Sequence, residues 1–286
     1  MTTSSRLAET LRVAAGAVPD LSGTDPRATP CFDGDKADGQ AALADSAEEL
    51  RELQERMYAQ ARAGTGDRAV LLVLQGMDTS GKGGIVRHVV GQVGAQGATV
   101  TGFGVPTEAE RAHHYLWRIR NALPSPGMIG VFDRSHYEDV VVVRVKELVP
   151  PEVWTPRFAE IVDFEAEVAA AGTQVVKVFL HISHEEQGER LAERLDRPDK
   201  HWKYNPGDVD DRARWDEFQH AWSEAIERTS TDVAPWYVVP ADRKWYARWA
   251  VAHLLLHTLR GMDPTWPTAD FDVEAERARL AATARD

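Results

Sequence analysis

A short apolar run followed directly by a glycine-rich loop constrains this chain most. Residues 69–75 read AVLLVLQ, a run too short for a helix and typical of a strand buried on both faces. Residues 76–83 read GMDTSGKG and fit the pattern G-x-x-x-x-G-K, and a helix is predicted to open near Lys82. A strand, a phosphate-binding loop and a helix in this order indicate an α/β fold. The alternative is an ordinary glycine-rich turn with an incidental lysine.

The loop residues indicate how a phosphate would be bound. Glycines let backbone N–H groups turn inward around a phosphate, and the helix N-terminus adds its positive end. Gly83 stands where most such loops carry a hydroxyl that ligates Mg²⁺, so the metal needs another oxygen. Asp78 is the candidate, as a metal ligand or as an orienter of the attacking group, and its alternative role is to stabilise a turn. The expected phosphate-binding positions, with Lys82 as a mobile catalytic cation, are Gly76, Thr79, Ser80, Gly81 and Gly83.

Strand and helix patterns alternate along the rest of the chain. Further strands are predicted at 98–101, 128–132, 174–182 and 236–239. Capping patterns predict helices that begin at Ser46 (with Glu49), at Thr107 (with Glu110, running through 123) and at Asp242, the last one ending before 261. This alternation predicts a mostly parallel sheet with helices on both faces.

The domain organisation follows from composition. Residues 1–43 are rich in small and polar types with prolines at 19, 26 and 30, and we predict an irregular N-terminal extension. Residues 44–286 are then expected to form a single domain. The charge-dense region at about 184–216 is interpreted as a lid on that domain.

A second cluster of functional side chains follows the strand at 128–132. Asp133 comes directly after this strand, at the edge where ligands bind in open α/β sheets, which is the Walker B position for Mg²⁺. Arg134 has the donor fork to clamp a phosphate, and Glu138 is a candidate second metal ligand. For His136 and Tyr137, a packed ring with a satisfied hydrogen bond is at least as good an interpretation as chemistry.

A basic stripe marks the predicted lid. Arg190, Arg194 and Arg197 are spaced i, i+4 and i+7 and therefore line one helix face, and Lys200 and Lys203 follow at once. Beside a phosphate loop in an acidic chain, such a stripe indicates a polyanion site that closes over its ligand and excludes water. The alternative is a solvated face whose arginines pair with neighbouring glutamates.

Charge and cysteine content exclude several classes of protein. The 286 residues carry 33 Lys+Arg against 45 Asp+Glu, a net charge of −12, which weighs against a general nucleic-acid binder. A single cysteine, Cys31, excludes an internal disulfide framework and fits a reducing compartment. No secretory signal and no long charge-free apolar stretch is recognised. We therefore expect a cytoplasmic protein with neither a nucleic-acid nor a membrane partner.

Several linked motifs resemble the polyphosphate kinase 2 family of P-loop phosphotransferases. They occur in family order over about 75–260 and read QGMDTSGKGG (75–84), HHYLWR (113–118), IGVFDRSHYEDVVVVRV (129–145), FLHISHEEQ (179–187), ERLDRPDKHWKYNPGDV (193–209) and STDVAPWYVVPADRKWYAR (230–248). The resemblance implies a P-loop kinase-like three-layer fold with a helical basic lid. It also implies phosphoryl transfer between inorganic polyphosphate and an adenine or guanine nucleotide, with Mg²⁺ as cofactor and Mn²⁺ as its alternative. The motifs look closest to members that accept AMP and ADP, and a homo-oligomer is expected.

The resemblance also assigns roles to residues. It implies catalytic roles for Asp78, Lys82, Asp133, Arg134 and Glu138, metal ligation by Asp78, Asp133 and Glu138, and phosphate binding by Arg118, Arg190, Arg194, Arg197, Lys200 and Lys203. The sequence departs from the family at Gly104, where many such members carry a lysine, and at Asp133, where asparagine is also frequent. Two rival functions stay open: an ATP-dependent nucleoside monophosphate kinase, and a non-catalytic nucleotide-binding protein.

Overall fold

The described residues form a sheet of six strands, five of them parallel. A computed structural model describes residues 2–94 and 96–283. The strands are Arg12–Val13 (β1), Ala69–Gln75 (β2), Ala98–Gly102 (β3), Ile129–Asp133 (β4), Thr173–His181 (β5) and Trp236–Pro240 (β6). Their order is β1-β6-β5-β2-β4-β3, with β1 antiparallel to β6 at one edge and the other strands parallel. The predicted α/β class and mostly parallel sheet are confirmed.

Fourteen α-helices surround this sheet in the described residues. They are Thr3–Leu11 (α1), Lys36–Asp45 (α2), Ala47–Arg62 (α3), Lys82–His88 (α4), Glu108–Arg111 (α5), Leu116–Asn121 (α6), Val142–Val145 (α7), Pro151–Trp154 (α8), Arg157–Ala170 (α9), His184–Asp196 (α10), Gly207–Ala213 (α11), Trp215–Thr229 (α12), Lys244–Met262 (α13) and Val273–Ala281 (α14). Short 3-10 helices occupy Val90–Gln92, His136–Asp139 and Pro198–Lys203. None of the α-helices has the length and apolar character that crossing a bilayer requires, within the part of the chain that the structure describes.

The core places β2 at the centre of the molecule. Every residue of β2 is buried, because β4 and β5 flank the strand in the sheet and helices cover its faces. The apolar helix α13 packs with α1, α2, α3 and α4, while α9 packs with β5 and α12. The carboxyl ends of β2 and β4 therefore meet at one edge, where Leu74 is level with Asp133. This edge carries both predicted functional clusters.

The prediction of an irregular segment over residues 1–43 is wrong for much of its length. Helix α1 buries Leu7 and Leu11, β1 extends the sheet, and α2 begins within the segment at Lys36. A capping box formed by Asp35 and Asp38 starts α2. The local composition is polar and small, so burial against α13 supplies the stabilisation that helix propensity alone does not.

Other predicted helix ends also differ from the structure. Ser46 makes no side-chain cap, because its hydroxyl donates to Leu43 O. Asp242 accepts hydrogen bonds from Ser183 instead of capping α13, which runs past Gly261 to Met262. The Thr107 capping box is confirmed, but the helix predicted through 123 is divided into α5 and α6.

Candidate active site at the phosphate loop

The loop after β2 has a backbone that favours glycine. Gly76 and Gly81 have φ of 142° and 113°, and Thr79 is also left-handed at 65°. A Cβ added at Gly76 would lie 2.6 Å from Leu180 O, so this position excludes any side chain. The amides of Thr79, Gly81 and Lys82 donate to no backbone carbonyl of the described residues. The loop therefore presents free N–H groups at the start of α4, as anion binding requires.

Lys82 lies folded over this loop. Its Nζ donates to Gly76 O at 2.9 Å and to Met77 O at 3.4 Å. The ammonium thus stands beside the cradle formed by the loop amides. A cation in this place can move from carbonyl oxygens to phosphate oxygens without a change in the backbone.

Asp78 and Arg134 form an ion pair across the two clusters. Arg134 Nη2 lies 2.9 Å from Asp78 Oδ1, and Arg134 takes a left-handed φ of 65° that a non-glycine residue rarely adopts. Burial alone would lower the pKa of Arg134. The nearby carboxylates outweigh this effect and raise that pKa, Glu138 most strongly, followed by Asp78 and Asp133. The guanidinium is therefore a permanent positive charge among three carboxylates.

Glu138 occupies a different environment from the two aspartates. Burial raises the pKa of Glu138, although Arg134 and Lys82 oppose this effect. With its amide oriented to accept from Ser135, Gln75 donates to Glu138 Oε1 at 3.1 Å. Glu138 is therefore held from β2 while its neighbour Arg134 reaches toward the loop.

A cavity of about 550 Å³ opens in front of the loop. Eleven of the predicted residues line it, namely Asp78, Thr79, Ser80, Gly81, Lys82, Gly83, Asp133, Arg134, Arg194, Lys200 and Lys203. A smaller cavity of about 70 Å³ adjoins it, shares Asp78 and Arg134, and is lined by Gly76 and Glu138. The two sequence clusters and part of the predicted lid are thus brought together.

Arg190 lines neither cavity, because its guanidinium braces the backbone instead. It donates to Thr79 O at 2.9 Å and Ser80 O at 3.0 Å, and to Ala241 O and Asp242 O at 2.7 and 3.0 Å. Its Nε donates to Glu186 at 2.7 Å. All five N–H groups of an arginine are thereby used, so none is left for a phosphate.

Arg118 and Arg197 also lie outside both cavities. Arg118 is buried, donates to Gly104 O at 2.9 Å and faces Asp139 at 3.6 Å. Arg197 pairs with Glu193 and Asp199 on the surface, as the solvated-face alternative proposed for this stripe. The prediction that Arg190, Arg194 and Arg197 share one helix face is wrong for Arg197, because α10 ends at Asp196 and Arg197 has an extended backbone.

Four further basic side chains line the large cavity and were missed from the sequence: Arg87, His88, Lys244 and Arg248. Lys244 and Arg248 are spaced i, i+4 on α13, a spacing that places them on one face and could have been noticed. Arg87 and Arg248 form no ion pair within the described residues. Asp208 also lines the cavity, beside Arg194 at 3.1 Å, and burial foremost, with the charge of Asp78, raises its pKa to about 6.

The carboxylates suit a metal ion that takes most of its ligands from substrate phosphates and water. In residues 2–94 and 96–283 no three His, Cys, Asp or Glu side chains are grouped closely enough to hold an ion by themselves. Asp78 and Asp133 nevertheless line the same cavity as the loop. Magnesium is usually bound by one or two carboxylates together with phosphates and waters, so this donor set fits it.

Comparison with known proteins decides the family. The Polyphosphate kinase 2 (PPK2) family pattern matches residues 33–267. The chain belongs to this family. It is 48% identical to the AMP/ADP-polyphosphate phosphotransferase of Meiothermus ruber over 87% of this chain and 91% of that protein. It is 37% identical to the ADP-polyphosphate phosphotransferase of Rhodopseudomonas palustris over 90% and 91% of the two chains.

Solved structures give the same assignment. The crystal structure of Polyphosphate Kinase 2 from Arthrobacter aurescens is 51% identical and superimposes with a TM-score of 0.92, covering 97% of this chain and 98% of that one. The putative polyphosphate kinase 2 from Pseudomonas aeruginosa is 31% identical with a TM-score of 0.77, over 84% of this chain and 50% of that one. The P-loop kinase-like fold predicted from the motifs is confirmed.

Proposed function

We propose that this protein transfers phosphoryl groups between inorganic polyphosphate and nucleoside mono- and diphosphates, converting AMP to ADP and ADP to ATP. The proposal rests on family membership and on the names of its close relatives. The observation that carries it is the large cavity, where a phosphate loop faces basic side chains from α4, α10, α13 and the 3-10 helix Pro198–Lys203. This local positive charge lies in a chain whose net charge is −12.

The reaction needs positioning more than proton transfer. A phosphate oxygen of the acceptor nucleotide is already anionic, so it attacks the terminal phosphorus of the polyphosphate directly. The new P–O bond joins the phosphoryl group to the nucleotide, and the broken P–O bond leaves a polyphosphate shorter by one unit. Catalysis then consists of in-line alignment and neutralisation of charge on the transferring oxygens.

The predicted residues that line the two cavities each have a place in that scheme. The loop amides and Lys82 hold the transferring oxygens, and Arg134 neutralises charge on the side of Asp78. Asp78 and Asp133 are the proposed ligands of Mg²⁺, and Glu138 supports them from the smaller cavity. The divalent ion supplies positive charge to the phosphate oxygens when bound. Arg194, Lys200 and Lys203, together with Arg87 and Arg248, are proposed to bind the polyphosphate chain.

The proposed lid is attached to the rest of the protein at both of its ends. Gln187 donates to Asp78 O at 3.2 Å and Arg190 binds the loop carbonyls, so the first half of α10 is attached to the phosphate loop. At the other end Lys146 pairs with Asp211 at 2.7 Å and Arg212 donates to Gln187 at 3.3 Å, so we expect movement only between these attachments, in the segment from about 194 to 210. Closure of that segment would bring Lys200 and Lys203 over the bound chain and exclude water.

Donor choice tests the function and separates it from an ATP-dependent kinase. Purified protein receives ADP, polyphosphate and Mg²⁺ without ATP, and ATP is measured; AMP, GMP and GDP are tried in parallel. We expect ATP to form and EDTA to abolish the reaction. No turnover of polyphosphate with any of these nucleotides would refute the proposal, and turnover only when ATP is the donor would favour the rival kinase.

Lys82→Ala tests the role of the loop. We expect kcat to fall by about 10²–10³-fold, because a pre-positioned charge on the transferring group is lost. Lys36→Ala on the exposed start of α2 is the matched control and should keep wild-type kcat. A folded Lys82→Ala variant with the same rate as the control would contradict the assignment.

A further inference from the structure

A fully buried polar cluster lies behind the site and takes no part in the chemistry above. It consists of His136, Tyr137, Glu165, Lys177 and Thr229, which we call the Glu165–Lys177 cluster. Lys177 Nζ lies 2.5 Å from Glu165 Oε2 and donates to Thr229 O at 2.7 Å and to Tyr137 OH at 3.0 Å. Tyr137 OH lies 2.8 Å from Glu165 Oε1 and 3.0 Å from Thr229 Oγ1, and His136 Nε2 lies 3.2 Å from Glu165 Oε1. Its members come from β5, α9, α12 and the 3-10 helix His136–Asp139.

The charged side chains of this cluster are not exposed to solvent. The exposed fractions of Lys177 and Glu165 are 0% and 2%. Burial alone would raise the pKa of Glu165, but Lys177, together with the hydrogen bond from His136, lowers it, so the carboxylate is ionised at neutral pH. A buried ion pair of this kind is often no more stabilising than apolar side chains of the same volume. We therefore ask which part of the backbone this ion pair holds in place.

What it fixes is the short segment that carries two site residues. Arg134 and Glu138 face the cavities, while His136 and Tyr137, which lie between them, point into the cluster. Ser135 Oγ accepts from Tyr137 N at 3.3 Å, and Glu138 N donates to Ser135 O at 3.2 Å, so the segment is short and closely bonded. Because Arg134 has a left-handed backbone, something must keep it there. The buried side chains of His136 and Tyr137, which are hydrogen-bonded to Glu165 of α9 and, for Tyr137, to Thr229 of α12, do so.

We propose that the Glu165–Lys177 cluster is a positioning device for phosphoryl transfer, which holds Arg134 against Asp78 and Glu138 at the smaller cavity through the side chain of Tyr137. The inference rests on the proposed function. It assigns positioning roles to five residues that touch no substrate. It also resolves the alternatives left open for His136 and Tyr137: both are packed, hydrogen-bonded rings, and they act on the site through the backbone that they anchor.

Tyr137→Phe is the mildest test. It removes the hydroxyl that joins Glu165, Lys177 and Thr229 but keeps the ring against Trp236, 4.7 Å away between centroids. We expect kcat to fall by about 10-fold and half-saturation to need more Mg²⁺, because partners behind a site commonly have effects of this size. The KM for polyphosphate should change little, since the cavity bases are untouched. Tyr246→Phe, which loses a hydrogen bond to Pro30 O at 2.9 Å, is the matched control and should behave as wild type.

A double variant separates positioning from stability. Glu165→Leu with Lys177→Met replaces the ion pair by apolar side chains of similar length. Because His136 Nε2 and Thr229 O then lose their partners, we expect a lower midpoint of urea unfolding but a variant that is still folded under assay conditions. Turnover should nevertheless fall by at least the factor seen for Tyr137→Phe. Two folded variants with kcat and Mg²⁺ dependence within twofold of wild type would overturn the proposal.

A structural readout keeps this test independent of the assay. In a crystal structure of the folded double variant, we expect the Arg134 guanidinium to leave Asp78, so that their 2.9 Å contact is lost. An unchanged contact would sink the positioning role whatever the rates are. If wild-type protein transfers no phosphoryl group at all, the proposed function fails on its own result, and the Arg134–Asp78 distance still decides whether the cluster positions this segment.

Discussion

Gly76 and Gly83 of the phosphate loop differ in how much space a side chain would have. At Gly76 the backbone is left-handed and an added Cβ would meet Leu180 O at 2.6 Å. At Gly83 nothing lies within 4 Å of an added Cβ, and the residue stands in the first turn of α4. Gly76 is therefore required by the fold of the loop, while Gly83 leaves open space where other P-loops place a hydroxyl.

Alanine at each position should thus have opposite effects. We expect Gly76→Ala to lower the free energy of unfolding and to abolish most transfer, because the loop must shift to admit the methyl group. Gly83→Ala should leave stability equal or raise it by about 0.5–1 kcal/mol, as for any glycine in a helix. Urea unfolding followed by circular dichroism measures both variants. Equal midpoints would show that the loop at 76 is not as constrained as its geometry indicates.

At the scale of elements, the lid helix illustrates how one basic stripe divides into different tasks. Arg190 is 5% exposed and joins α10 to the phosphate loop and to the end of β6, whereas Arg194 faces the cavity and Arg197 faces solvent. Periodicity predicted a common face, but α10 ends at Asp196, so the extended backbone of Arg197 takes its side chain off that face. The three arginines therefore cannot share one function.

Arg190→Ala and Arg197→Ala form a matched pair that tests this division. We expect Arg190→Ala to cost about 2–4 kcal/mol of unfolding free energy, because it leaves four carbonyls and Glu186 without their partner. Arg197→Ala loses only exposed ion pairs and should cost less than about 1 kcal/mol. Equilibrium urea unfolding gives both values. A similar small loss for the two variants would mean that Arg190 does not brace the loop.

The sequence predicts those features of the fold and site that are encoded in consecutive residues, and it does not predict contacts between distant residues. The apolar runs predicted β2, β4 and β5, and the loop motif placed Asp78 and Lys82 in the main cavity, since strand and loop are written in consecutive residues. Arg248 was missed because only the packing of α13 beside α4 turns it toward the loop. Likewise, the positions of Glu165 and Lys177 in the sequence do not predict that their side chains form an ion pair.

At the scale of the whole molecule, the N-terminal segment is part of the core although it precedes the family match. That match begins at residue 33, yet α1 packs on α13 and β1 covers the edge of β6. Arg260 of α13 donates to Ser4 Oγ at 3.0 Å. Helix α13 in turn presents Arg248 to the cavity. One long helix thus packs on the first helix and also lines the site.

Leu7→Ala tests that connection. Leu7 is 0% exposed, so its truncation leaves a cavity between α1 and α13, and we expect a loss of about 2–4 kcal/mol in unfolding free energy. Val18→Ala, at a side chain 66% exposed in the same segment, should stay within about 0.5 kcal/mol of wild type. Urea unfolding compares the two variants. If both variants are as stable as wild type, α1 contributes nothing to stability, and α13 holds Arg248 at the cavity without α1. If only Leu7→Ala is destabilised, the first turns of the chain belong to the same cooperative unit as the site.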